Sequence, residues 1–235
     1  RFLDGTILLS SQAVGQNYIV SEAVPGGGSA AITLSAISDS TTVTVRFGPR
    51  ARSNDSPTSI AGNTVQRTLA KGDVLTLLGK DAGGTQIVAD RPIQAISVLN
   101  SHGGLGGWFH TEEVMLPLET WGKHHVIASG TDYGGAAQRQ GISIQGVADN
   151  TTLTYLPAKP EGCPETIQAG ENIVCGDQFV YPMEMSSESF EIHASLSIGV
   201  MLLHAGDTQS GNGDVAASAS IPAEQFQTRY QFAAP

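Results

Sequence analysis

The sequence predicts an all-β protein built from two similar β-sandwich domains in tandem, each jelly-roll-like and both derived from one internal duplication. Three observations support this prediction. Polar and apolar residues alternate at a period of two in several short runs. Turn-forming residues separate these runs at short intervals. Three segments of the first half recur in the same order in the second half.

Four runs carry the strand prediction. Thr42–Phe47 and Ile142–Gln145 alternate in polarity, which is typical of strands with one buried face. Val74–Leu78 and Gln94–Leu99 are rich in apolar and β-branched residues, which pack well on a pleated surface. We therefore expect strands in both halves of the chain.

Two hairpin turns are predicted at equivalent places. Asp39-Ser40 and Asp149-Asn150 each follow an apolar run and precede two threonines. Asp and Asn side chains hydrogen-bond nearby backbone and tolerate the left-handed conformation that tight turns require. Each dipeptide is expected to join two strands.

The repeat divides the chain. Matching segments are centred on Val14 and Trp121, on Asp39 and Asp149, and on His102 and His204, at offsets of 107, 110 and 102 residues. We predict a first unit over residues 1–111 and a second over 112–235, with a hinge around residues 103–116. Residues 221–235 begin the pattern again, so they either complete the second unit or start a further one. The chain is expected to belong to a longer multidomain protein.

Charge excludes some partners. The 235 residues carry 12 Lys and Arg against 22 Asp and Glu, a net charge of −10. Nucleic acid and anionic membrane surfaces both require clustered basic residues, so neither is an expected partner. The sequence also lacks an apolar run of the ~20 residues that span a bilayer, so direct membrane insertion is not expected.

The two cysteines, Cys163 and Cys175, have two interpretations: free core thiols, or one disulfide that closes a short loop. The strand-rich composition with little Lys favours the disulfide. Disulfides persist in oxidising compartments, so this interpretation predicts an extracellular or cell-surface protein.

The segment from residue 100 to 113 is the predicted ligand-binding loop. Exposed aromatic residues on a glycine-rich loop are typical of contacts to glycans or proteins. The alternative is an interdomain connection that buries Trp108 and Phe109. The candidate ligand-binding residues are Asn100, His102, Trp108, Phe109, His110, Glu112 and Glu113.

Histidines and acidic residues give weaker metal candidates. His102 and His204 are predicted at equivalent strand ends, where they hold loops to neighbouring backbone. His124 and His125 begin a strand, so one ring should face the core and the other solvent. The segment 207–214 is predicted to be a solvated loop, and calcium binding is the alternative. Its candidate calcium ligands are Asp207, Asn212 and Asp214. No other cofactor is predicted.

No catalytic motif is recognised. The sequence has no Gly-x-Ser-x-Gly elbow, no phosphate loop and no dinucleotide fingerprint. An enzyme is therefore not predicted.

Residues 92–123 carry a family resemblance. They run from Pro92 and an apolar strand through Asn100-Ser101-His102 to Leu116-Pro117 and Thr120-Trp121-Gly122-Lys123. This order resembles the N-terminal domain family of the IgGFc-binding protein, found in animal mucus proteins and bacterial surface proteins. The resemblance implies an extracellular, non-catalytic role in binding or adhesion. Animal members usually carry Cys near the Gly-His turn, where this chain has residues 103–107 without Cys.

The predicted function is therefore a secreted or cell-surface adhesion module. Its partner would be a glycan or a surface or matrix protein recognised through loops. The alternative is a structural or assembly subunit of a surface appendage or matrix, and a carbohydrate-active hydrolase ranks below both.

Overall fold

The computed structural model describes residues 6, 8–21, 28–53, 59–102, 108–131, 135, 137, 140–175, 188–204 and 216–229. For residues 28, 100–102, 108 and 109 it describes the backbone alone. Within these ranges the protein is all-β, as predicted, and consists of two curled antiparallel sheets.

The first sheet has eight strands, and a long bent strand lies at its centre. The strands are β1 (Gly15–Ile19), β2 (Gly28–Ala36), β3 (Thr41–Arg46), β4 (Arg52–Ser53), β5 (Thr64–Leu69), β6 (Val74–Lys80), β7 (Gln86–His102) and β8 (Trp108–Val114). Their order is β4-β6-β2-β7-β3-β5, and β7 also pairs with β1 and β8. A 3₁₀ helix, Leu118–Thr120, follows the sheet.

The second sheet has seven strands in a matching arrangement. They are β9 (Gly122–Ile127), β10 (Gln140–Gly146), β11 (Thr151–Leu156), β12 (Thr166–Ile167), β13 (Asn172–Val174), β14 (Phe190–His204) and β15 (Ala216–Ala219). The order is β12-β11-β14-β10-β13, and β14 also pairs with β9 and β15. A 3₁₀ helix, Ala223–Gln225, follows it. Each pairing in this sheet has a counterpart in the first.

The long strands change partners along their length. The first part of β7 pairs with β1 and β3, and its second part pairs with β2 and β8. The strand β14 does the same with β9, β11, β10 and β15. Each sheet therefore curls around its own apolar core. The first core includes Ile87 and Ile93, and the second includes Ile192 and Ile198, all fully buried.

Both sheets carry the same irregularity where the long strand bends. Gly15 pairs with Ile93, but Asn17 pairs with Val88, so the register shifts by three residues. In the second sheet Gly122 pairs with Ile198 and His124 with His193, again a shift of three. A bulge of this kind bends a strand and increases its twist.

The predicted turns also use the same bonds. The Asp39 carboxylate accepts a hydrogen bond from the Lys71 amide at 2.9 Å, and the Asp149 carboxylate accepts one from the Ala169 amide at 3.1 Å. Ser40 and Asn150 have φ values of 53° and 57°. Both dipeptides form turns, as predicted from their residue types. The prediction of hairpins is wrong, because the joined strands are not paired: β2 and β3 lie on opposite sides of β7, and β10 and β11 lie on opposite sides of β14.

The segment after each sheet packs back on it. The 3₁₀ helix 118–120 lies against β1, where a side chain at Gly15 would overlap Pro117. The helix 223–225 lies against β9, where a side chain at Gly122 would overlap Pro222.

Residues 230–235 lie outside the described residues. The predicted boundary after residue 111 falls within β8, and the division into units stays a prediction.

Candidate functional site

The hairpin of β7 and β8 brings the predicted ligand-binding residues together. His102 pairs with Trp108, Ser101 with Phe109, and Asn100 with His110, in three consecutive cross-strand pairs. Residues 103–107, which connect the two strands, lie outside the described residues. The structure thus places five of the seven candidates at one end of one hairpin.

His110 and Glu112 lie on the same face of β8. His110 Nε2 is 3.8 Å from Glu112 Oε2, and each side chain is about one-third exposed. Both groups are therefore able to meet a ligand on this face. Imidazole and carboxylate together supply donors and acceptors for polar recognition.

Glu113 points to the opposite face and contacts other parts of the protein. Its carboxylate accepts a hydrogen bond from the Thr6 hydroxyl at 3.4 Å and one from the Ala219 amide at 3.5 Å. Thr6 in turn accepts a bond from the Val114 amide at 2.9 Å. Glu112 and Glu113 face opposite sides of the strand, as expected for neighbouring residues. The role of Glu113 in ligand binding stays a prediction.

The histidines predicted as equivalent are out of register by three residues. Both end their long strands. Ile93 and Ile198 hold the same place at the bend of the two long strands, and Leu99 and His204 each lie six residues further on, so His204 corresponds to Leu99 and not to His102. His204 Nε2 lies 3.0 Å from the Ser218 hydroxyl, and burial lowers the pKa of His204.

The disulfide between Cys163 and Cys175 is confirmed. Both residues are buried in the second core, and the loop they close contains β12 and β13. The Cys175 amide donates to the carbonyl oxygen of Ile142 at 2.8 Å, so this end of the loop is tied to β10. The disulfide thus closes the loop that carries both end strands of the second sheet.

The alternation predicted for His124 and His125 is confirmed. His125 is 1% exposed, and its Nδ1 lies 3.2 Å from the Ser220 hydroxyl. Burial lowers the pKa of His125 to about 4, because the charged form loses its water. His124 is partly exposed on the opposite face.

A cluster that sequence reasoning missed surrounds His124. His124 Nε2 lies 2.9 Å from Glu191 Oε2, and His193 Nε2 lies 3.0 Å from the same oxygen. Hydrogen bonds from both rings lower the pKa of Glu191. The signal in the sequence was Glu191-x-His193, two residues on one strand face, but nothing in it paired them with His124.

The predicted calcium candidates, Asp207, Asn212 and Asp214, lie outside the described residues.

The fold and the disulfide define the class: an all-β protein stabilised by a cross-link. Among the described residues, no helix is long and apolar enough to cross a membrane. The chain matches the family described as IgGFc binding protein over residues 4–235, and it belongs to that family. No curated protein and no solved structure matches the chain. The family membership supports an extracellular binding module.

Proposed function

We propose that this protein is an adhesion module that recognises a glycan or a surface or matrix protein through the β7–β8 hairpin. One observation carries the proposal: the strand register places Asn100, His102, Trp108, Phe109 and His110 in three adjacent cross-strand pairs. Residues distributed over eleven positions of sequence thereby share one end of one hairpin.

A rigid base supports this end of the hairpin. The second part of β7 pairs with β2 on one side and with β8 on the other, so its backbone is held on both sides. Binding residues that a rigid sheet positions lose less freedom when a ligand binds.

The residue types suit adhesion. Trp and Phe offer large apolar faces that are the usual anchors of protein and sugar contacts. His110 and Glu112, 3.8 Å apart, add polar groups that fix the orientation of a ligand.

Alanine at Trp108 and Phe109 is the direct test. We expect W108A/F109A to lose capture of glycans and matrix proteins on an array, with a melting temperature within a few degrees of the wild type. Val88→Ala is the control, because Val88 is an exposed residue of β7, the partner strand of β8, away from the hairpin end. Unchanged capture by W108A/F109A, or a fall of many degrees in its melting temperature, would contradict the proposal.

The same assay separates adhesion from hydrolysis. An adhesion module retains the glycan it captures, whereas a hydrolase releases shortened products. Chromatography of the glycan after incubation therefore distinguishes the two, and product formation would replace the proposed function with an enzymatic one.

A further inference from the structure

The His124 cluster lies on a rigid part of the second sheet. His124 and His193 are directly paired across β9 and β14, and Glu191 is two residues before His193 on the same face. The two rings stack with centroids 4.1 Å apart and an angle of 19° between their planes. The three ligand atoms lie within 4.8 Å of one another. The backbone therefore holds these groups in place without a bound ion.

We propose that His124, Glu191 and His193 bind a zinc ion. Zinc takes nitrogen and carboxylate ligands at about 2.0–2.2 Å, so two ligands of one tetrahedral ion lie about 3.3 Å apart. The spacing of the cluster needs little change to reach that value. Two neutral imidazoles and one carboxylate would leave the remaining position to water, since all three side chains are partly exposed.

The ligand chemistry favours zinc over calcium. Calcium requires six to eight oxygen ligands, and this cluster offers one carboxylate. Imidazole is a good ligand for zinc and related ions. The site is also separate from the ligand-binding hairpin, because it lies on the second sheet.

The first sheet supplies the matched control. The pairing registers make Asn17 equivalent to His124, Gln86 to Glu191, and Val88 to His193. These three residues occupy the same places in the same fold without metal-ligating chemistry. The triple variant H124N/E191Q/H193V therefore introduces residues that this fold already accommodates.

Titration calorimetry and thermal melts with zinc chloride test the site. We expect the wild type to bind one zinc ion through this cluster and to melt at a higher temperature with zinc than with chelator. Each single change, H124N or H193V, should weaken binding by about tenfold or more. The triple variant should lose it, while H110Q and calcium chloride should leave both readouts unchanged.

Three outcomes would overturn the zinc proposal. They are a wild type that shows no zinc binding, a triple variant that binds zinc as tightly as the wild type, and a site that H110Q removes. The first would show that the cluster is only a hydrogen-bonded group in which both rings donate to Glu191.

A second inference follows independently from how the two sheets meet. The face of β10 and β14 that points away from the second core is also buried. Ser143, Gln145 and Leu203 are 0%, 0% and 1% exposed, although the alternating sequence of β10 predicts that its polar residues face solvent. We call this the covered face, formed by Ser143, Gln145, Gly199, Met201 and Leu203.

The first sheet and the segment after it supply the cover. Ile19, Leu116 and Trp121, here called the docking edge, line one small cavity together with Gly199 and Met201 of the covered face. A side chain at Gly199 would come within 2.6 Å of the Trp121 ring. Glycine at this position lets the indole lie flat on the strand.

A polar contact and a close backbone approach extend the same interface. The Arg50 guanidinium donates to the Asn172 side-chain oxygen at 3.4 Å. The backbone at Gly84, where φ is +77°, lies so close to the Gly170 carbonyl oxygen that a side chain at residue 84 would overlap it. The two sheets are therefore packed head to tail.

The equivalent face of the first sheet is open. Thr33, Ser35, Ile96 and Val98 correspond to Ser143, Gln145, Met201 and Leu203, and all four are partly exposed. On the neighbouring β6 of this open face, Val74 and Leu78 are 60% and 63% exposed. Apolar side chains at that exposure on a sheet face are typical of an interaction surface.

The second sheet in turn exposes the counterpart of the docking edge. Val126, Ile221 and Phe226 correspond to Ile19, Leu116 and Trp121 and are 40%, 43% and 50% exposed. We call these three residues the free edge. Its residues are apolar at all three positions, like those of the docking edge.

We infer that the free edge of one copy docks on the open face of a second copy, in the way the docking edge packs on the covered face within one chain. The partner is therefore a second molecule of this chain. Such a head-to-tail contact uses two different surfaces, so it forms open chains or rings and does not stop at a dimer. The net charge of −10 on each copy opposes contact, so added salt should strengthen it.

Sedimentation of two single variants and their mixture tests this inference. Leu78→Asp alters only the open face, and Phe226→Asp alters only the free edge. We expect the wild type to form larger species as concentration rises and each variant to remain a monomer. An equal mixture should form a dimer and nothing larger, because it retains one intact pair of surfaces. Val88→Asp, at an exposed residue of neither surface, should behave like the wild type.

The outcomes are distinct. A wild type that stays monomeric at high concentration would overturn the inference. So would association that L78D removes and F226D leaves intact, since this identifies contact between two open faces. Val74→Asp and Ile221→Asp repeat the test if the circular dichroism of either first variant departs from that of the wild type.

Discussion

Ile192→Ala is expected to destabilise the second sheet by about 2–5 kcal/mol, the usual cost of removing a large buried aliphatic side chain. Ile192 is fully buried in the core of the second sheet. Alanine there leaves a cavity among neighbours held by antiparallel pairing on both sides, so the site cannot collapse freely. Urea unfolding followed by circular dichroism measures the loss.

The first sheet contains the matching position. Ile87 is equivalent to Ile192 and is also fully buried, so Ile87→Ala should cost a similar amount. Leu196→Ala and Val88→Ala are controls on the same two strands, at residues 42% and 52% exposed. Exposed substitutions of this kind usually change stability by about 0.5 kcal/mol or less. Equal effects at buried and exposed positions would contradict the described cores.

Removal of the disulfide should cost about 3 kcal/mol, because the bond closes a loop of this length in the unfolded chain. The two cysteines are twelve residues apart, and both are buried. The double variant Cys163→Ser/Cys175→Ser should unfold at lower urea than the wild type. Because the loop that the disulfide closes contains β12 and β13, the two end strands of the second sheet, the loss should be concentrated in that sheet.

Reduction of the wild type serves as the control for this prediction. The wild type in dithiothreitol should match the untreated double variant, and dithiothreitol should not alter the double variant. Equal stability of wild type and double variant would show that the cross-link adds nothing to the fold.

Much of the fold could be predicted because its signals are local. Alternation at Thr42–Phe47 and the Asp39-Ser40 and Asp149-Asn150 turns each depend on a few neighbouring residues, and the structure has a strand and turns there. The pairing of the strands that these turns join is not local, and the expected hairpins are absent from the described strand order. The disulfide was also predictable, since the chain has two cysteines, one loop apart.

The His124 cluster was harder to predict, because it depends on the register in which two strands pair. A three-residue shift between β9 and β14 places His124 opposite His193, and no local pattern shows such a shift. The same holds for His102 and His204, which look equivalent in sequence but differ by three positions in pairing. The burial of Ser143 and Gln145 depends on packing between the two sheets, which periodicity along one strand does not report.

Amide hydrogen exchange with and without a captured ligand tests the central claim, that the β7–β8 hairpin is the binding surface. The ligand is the first glycan or matrix protein that the array retains on the wild type and not on W108A/F109A. We predict added protection along residues 98–114 and none on β11 or β12 of the second sheet. Protection confined to the second sheet, with the β7–β8 amides unchanged, would contradict the account.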